Sequence, residues 1–218
     1  MKKILSIIIT IIISVVCFSQ TEIRNGVVID KGAQKIVEKV IAQIKKDTPF
    51  SFSFTYNIKE GHTKQQGKGT FLSNNAKYTI SCDALNQFSD GKTVWNYNKK
   101  ANEVEVMDIE DDNTMFNFVK IINNSVKNFR PKLIRQETFN KVKCNIIDLT
   151  PMKNTQISKI RLYSSTANNR IQKIEMSTYS GNKYIYTFTN YTANKKVSDK
   201  DFVFDTKQHP KVKVVDLR

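Results

Sequence analysis

Between Phe88 and Val106 the chain alternates apolar and polar residues in two short runs beside an Asp90-Gly91 pair, and that pattern leaves few folds open. Thr93-Val94-Trp95-Asn96-Tyr97 and Glu103-Val104-Glu105-Val106 change side at every residue, the period of a strand with one face buried. Asp90-Gly91 supplies what a tight turn needs, because glycine tolerates positive φ and aspartate bonds its own backbone. The rhythm is stricter upstream, where Phe50, Phe52, Phe54, Tyr56 and Ile58 alternate with Ser51, Ser53, Thr55 and Asn57. Such patterning predicts a β-meander.

Further strands are expected at Gly69-Thr70-Phe71-Leu72, 76–82, 132–138, 142–150, 158–163, 171–178 and 183–191, with turns at Asn140-Lys141, Ala167-Asn168-Asn169 and Ser180-Gly181. Several antiparallel strands at this spacing indicate one large curved sheet or a barrel. One helix precedes them. Ala33, Ile36, Val37, Val40, Ile41 and Ile44 form a single apolar stripe, with Asp30 placed to cap it and Pro49 to close it. A second, short helix is expected between Asp108 and Asn128, where Asp108-Ile109-Glu110-Asp111-Asp112 gives way to Met115-Phe116-Asn117-Phe118-Val119-Lys120-Ile121-Ile122. Its acidic start suits a helix N-terminus, and its apolar residues are too dense for one narrow face. No linker or repeat divides the chain, which reads as one domain over residues 20–218.

Residues 1–19 read as a signal peptide: Met1-Lys2-Lys3 is a basic start, Ile4 to Val16 an apolar run, and Cys17-Phe18-Ser19 a small-x-small site before Gln20. The run is short for a membrane span, which needs about 20 residues. Acylation at Cys17 is the alternative, against which stands the bulky Val16. Cleavage after Ser19 leaves 199 of the 218 residues, enough for one substantial core, and lowers the formal charge from +15 to +13. That surplus serves solubility or attraction to an anionic membrane face or acidic partner. Nucleic acid is not indicated in an exported chain without a compact basic block. Of the two cysteines left, Cys82 and Cys144, each suits a buried strand position as well as a disulfide.

The run Ser89-Asp90-Gly91-Lys92-Thr93-Val94-Trp95-Asn96-Tyr97-Asn98 resembles the signature of the LolA-type periplasmic lipoprotein carriers. The likeness extends from about Ile36 to Arg218. It includes the helix, the aromatic first strand, the Gly67-x-Gly69-Thr70 strand, the hairpin, a helical interruption and the closing Val197-Ser198-Asp199 … Phe202-Val203-Phe204-Asp205. The resemblance implies a mainly β fold with an α lid, in which an unclosed antiparallel β-barrel and a short helical lid enclose an apolar cavity. It implies a monomeric periplasmic carrier of acylated lipoproteins, without a cofactor or metal. An inner-membrane transporter would donate the cargo and an outer-membrane acceptor would receive it. Shielding matters because each exposed methylene costs about 0.8 kcal/mol, roughly 12 kcal/mol for a sixteen-carbon chain.

By the same resemblance Phe71, Tyr78 and Ile80 fall on cavity-lining strands, and Phe116, Phe118, Val119 and Ile122 occupy the lid. Phe52, Phe54 and Phe188 are either core or cavity lining. So are Trp95 and Tyr97, which share one strand face, with Val104 and Val106 opposite them on the same side. Where the family carries a lid-holding arginine this chain has Asn75, the candidate latch. Met115 stands where a proline is usual. Catalysis has little support: His62 and His209 read as surface residues, and no nucleophile elbow, phosphate loop or clustered metal spacing appears. Two rival readings stand beside the carrier: a lipid-sensing envelope-stress module of the same half-barrel type, and a secreted structural β-protein with a filled core.

Overall fold

The computed structural model describes residues 21–24, 27–83, 85–111, 128–153 and 155–218. The expected signal peptide and the lid residues Phe116, Phe118, Val119 and Ile122 lie outside them. A small hairpin, β1 (Thr21–Arg24) and β2 (Val27–Asp30), leads into α1 (Lys31–Asp47). Then come β3 (Phe50–Glu60), β4 (Thr63–Asn74), β5 (Lys77–Cys82), β6 (Asn86–Ser89), β7 (Thr93–Asn98) and β8 (Glu103–Asp108). The second half holds β9 (Phe129–Phe139), β10 (Val142–Pro151), β11 (Ile157–Ser165), β12 (Ile171–Thr178), β13 (Lys183–Thr192) and β14 (Lys213–Asp216). Twelve of these make one sheet in the order β14-β8-β7-β6-β5-β4-β3-β13-β12-β11-β10-β9. Only β14 is parallel to its neighbour. The two ends do not pair, so the barrel is unclosed.

The register draws one apolar face across seven strands. Leu133, Ile147, Leu162, Ile174, Tyr186 and Tyr56 are consecutive cross-strand partners, and Tyr56 faces Gly67. A parallel row runs through Phe188, Phe54, Gly69 and Cys82. The Gly67-x-Gly69 spacing has a physical cause: a Cβ on Gly69 would stand 2.6 Å from Cζ of Phe54. These glycines let aromatic rings lie flat across the neighbouring strand.

Helix α1 covers this inner face. Ala33, Val37 and Val40 are buried in the same cluster as Phe52, Ile147 and Ile174. Seventeen residues make a helix about 25 Å long, and five strand spacings from β9 to β3 come to about 24 Å. The N-terminal end is fixed at β9, where Asp30 caps Ala33 N–H at 2.8 Å and accepts a bond from Leu133 N–H at 3.0 Å. The other end turns into β3 through Thr48, whose hydroxyl donates to Ile44 C=O, and the cis Thr48–Pro49 bond.

The Asp90-Gly91 turn forms as its residues dictate. Asp90 Oδ1 accepts from Lys92 and Thr93 N–H, each at 2.8 Å, and Ser89 Oγ accepts from Gly91, whose φ is +93°. After β13 the chain crosses the outer face of the sheet. A short turn, Asp199–Phe202, sits on β5, where Lys77 pairs with Asp199 at 2.6 Å, and buries Phe202 completely.

Candidate functional site

At the C-terminal end of α1 the helix and the sheet part to leave a cavity of about 290 Å³. This is close to the lower bound of roughly 300–1,000 Å³ common for small-molecule sites. Phe52, Phe71 and Phe188 form its wall together with Phe50, Tyr191, Ile44 and Ile171. The rings of Phe52 and Phe71 are stacked with centroids 5.0 Å apart, and Phe188 meets Phe52 edge-on at 4.8 Å. Phe50 stacks on Tyr191 at 5.5 Å. The rings brace one another around the space, which their number would otherwise fill.

The rim is polar. Gln43, Lys45 and Thr48 stand on the helix side, Asn75 and Ala76 in the β4–β5 turn, and Arg170 before β12. Asp47 lies beneath the rim, with its side chain 5% exposed. Gln43 Nε2 donates to Asp47 Oδ1 at 2.8 Å, and Arg170 Nε donates to Oδ2 at 2.9 Å. The guanidinium also lies over the Tyr191 ring, 4.5 Å from its centroid. Burial, with Asp47 close by, holds the Tyr191 phenol well above its ordinary range. Burial does the same to Tyr186. Tyr184 is pushed up to about 12 by burial and by its bond to Glu60. These three phenols are therefore neutral at any physiological pH.

The expected lining residues divide three ways. Phe52, Phe71 and Phe188 border the cavity. Phe54, Tyr78 and Ile80 share its face but are fully packed in the core beside it. Trp95, Tyr97, Val104 and Val106 do share one strand face, yet it is the other face of the sheet. Ile80 pairs with Gln87, Gln87 with Asn96 and Asn96 with Glu105, so the inner row passes between the four apolar residues. On the outer face, Tyr97 and Val104 pack with Phe204, and Phe88, Trp95 and Val212 close around them. These four residues do not line the cavity. The inner face turns polar at β6, where buried Gln87 donates to Asn96 at 2.7 Å.

Asn75 does reach the rim, but its structural task is local. It sits at φ +57° in the β4–β5 turn and its amide donates to Asn74. Phe50, Tyr191, Arg170 and Asp47 were not anticipated as site residues. Phe50 begins the alternating aromatic run and was legible in it. Tyr191 lies within a register shift between Thr189 and Thr192, which breaks the period that would have placed it. Arg170, in a turn, carries no periodic signal at all. Cys82 lies on the inner row and Cys144 in a separate cluster with Ile146 and Tyr163, and no disulfide joins them. Among the described residues no His, Cys, Asp or Glu group is arranged to hold a metal ion.

Known proteins agree with this architecture. A conserved uncharacterized protein of Thermus thermophilus superposes with a TM-score of 0.60 at 10% identity, covering 85% of this chain and 99% of that one. The lipoprotein LppX of Mycobacterium tuberculosis does so with a TM-score of 0.50 at 9% identity, covering 78% of this chain and all of the other. At such identities the likeness is one of fold. An uncharacterized protein of Methanocaldococcus jannaschii is 30% identical over 150 residues, 67% of this chain and 44% of that protein. The chain thus spans less than half of that relative. The family described as "Outer membrane lipoprotein carrier protein LolA" matches residues 45–205, from the last turn of α1 through the closing Phe202-Val203-Phe204-Asp205. The chain belongs to the LolA family of outer membrane lipoprotein carriers.

Proposed function

We propose that this protein is a periplasmic carrier that takes the acyl chains of lipoproteins into the cavity beneath the end of α1 and delivers them from the inner to the outer membrane. The observation that carries this reading is the cavity itself: a half-barrel of this family keeps an apolar space, walled by Phe52, Phe71 and Phe188, where a filled core would have closed it. Burying apolar surface there is reversible and makes no bond, and we assign the protein no catalytic step. Among the described residues the lining holds no histidine or carboxylate, and the Asp47 carboxylate beneath the rim is taken up by Gln43 and Arg170 instead of standing free as a base. The donor is an inner-membrane transporter and the acceptor an outer-membrane protein or surface.

Native mass spectrometry of the protein isolated from its own envelope tests the reading. Co-purified acylated lipoprotein, lost on Phe188→Glu, is the expected result. A bare protein, even after incubation with donor membranes and ATP, would refute it and favour a filled or purely sensory half-barrel.

A further inference from the structure

We propose that Arg170 makes the rim of this cavity an anion subsite, so that the pocket prefers a chain carrying a carboxylate or phosphate at its end over a neutral chain of the same length. Ester- and amide-linked acyl chains carry no free carboxylate, so this goes beyond the lipoprotein cargo, and it rests on the acyl-chain reading of the cavity.

The guanidinium is held in place by three features that leave its fork unused. Its Nε is bonded to the buried Asp47 carboxylate at 2.9 Å. Its plane lies over Tyr191, itself a wall of the cavity. Asp47 is fixed in turn by Gln43 and by its own backbone carbonyl, which accepts from Asn194 N–H at 2.8 Å. Among the described residues no hydrogen bond engages the two terminal nitrogens of Arg170, and the side chain is 31% exposed. Four N–H donors on a pre-oriented plane are what a carboxylate or phosphate binds in bidentate fashion, at little further entropic cost.

Charge points the same way. Asp47 offsets Arg170, but Lys45 lines the same rim, so the rim carries a net positive charge. The apolar wall begins directly beside it with Tyr191 and Ile171. An apolar slot ending at a fixed cation matches an amphiphile with an anionic head. Hydrogen bonds to charged groups at a partly exposed site correspond to about a tenfold gain in affinity.

Calorimetric titration of the protein with sub-micellar palmitate, with hexadecanol and with inorganic phosphate separates the cases. The expected result is palmitate binding about tenfold tighter than hexadecanol, with phosphate alone far weaker than palmitate. Arg170→Gln should bring the palmitate-to-hexadecanol ratio near one, and Arg170→Lys, which keeps charge without the fork, should lower it at least threefold. Lys68→Gln, on an exposed outer position, should leave the ratio as it is. Equal affinities in the unaltered protein, or equal weakening of both ligands in the Arg170 variants, would overturn the proposal while leaving the acyl pocket standing. Phosphate binding as tightly as palmitate would overturn it in favour of a free-anion site. Binding of neither chain would instead defeat the acyl-chain reading beneath it.

Discussion

Adding a single methyl group at Gly69 should destabilise this protein, although the same change in most strands is neutral or helpful. The Cβ of Gly69→Ala would stand 2.6 Å from Phe54 Cζ, 2.6 Å from Cys82 Cβ and 2.8 Å from the Ser81 carbonyl oxygen. Carbon atoms prefer about 3.5–4.0 Å, so the surroundings must yield by roughly 1 Å. None of the three is a loose side-chain end: Phe54 is 1% exposed, and the other two belong to the adjacent strand. Overpacking of this kind costs about 1–3 kcal/mol. Loss of glycine's freedom in the unfolded chain returns about 0.5 kcal/mol. The net is a loss of about 1.5 kcal/mol. With a urea slope of about 2 kcal/mol per molar, the midpoint falls by roughly 0.7 M. Urea titration followed by circular dichroism reads this directly. Phe54→Leu removes the opposing ring atom, so the double variant should be about 1 kcal/mol more stable than the sum of the singles requires. A Gly69→Ala protein as stable as the parent, or strict additivity, would refute the reasoning that the glycine exists to seat the ring.

Further outcomes follow from the structure. Burial alone would raise Asp148, but the two bonds from Arg161, at 2.6 and 2.8 Å, and nearby Lys159 hold it below its ordinary 3.8. Arg161→Met should therefore cost about 2 kcal/mol at pH 7. Because the folded-state pKa is depressed, that difference should shrink as pH falls below about 4 in urea titrations. Phe204→Ala should cost about 3 kcal/mol by removing the centre of the outer cluster, while binding of a fluorescent fatty acid, measured with the variant still folded, keeps its affinity. Phe188→Glu should abolish that binding. Asn75→Gly should be within about 0.5 kcal/mol of the parent and Asn75→Ala about 1 kcal/mol less stable, since the position requires positive φ. Mass spectrometry after alkylation under denaturing conditions without reductant should find both Cys82 and Cys144 modified. In the folded protein Cys144, buried and with its thiol pKa raised by that burial, should react more slowly than half-buried Cys82.

Local signals were read well from the chain wherever one residue's neighbours decide its conformation. The α1 stripe with its Asp30 cap, the alternation of β3 and the chemistry of the Asp90-Gly91 turn are all of this kind. The unclosed sheet came from the likeness of the whole run of motifs, since no period states whether a sheet closes. What could not be read is which side of the sheet a strand's apolar residues face. Alternation grouped Trp95, Tyr97, Val104 and Val106 correctly with one another. Their side, however, is set by pairing through Gln87 and Asn96, where the inner positions are polar. It is set also by Phe204 and Val212, which arrive from about a hundred residues away to cover them. Arg170 and Asp47 were invisible for the same reason, being partners separated by 123 positions in the chain.

Photo-crosslinking from two positions tests the central claim most directly. A benzophenone amino acid is placed at position 188, in the cavity wall, or at position 106, on the outer face, and the protein is irradiated in its native envelope. The account predicts acylated lipoprotein attached at position 188 and none at position 106. Acyl adducts at both positions alike, or at neither, would contradict it.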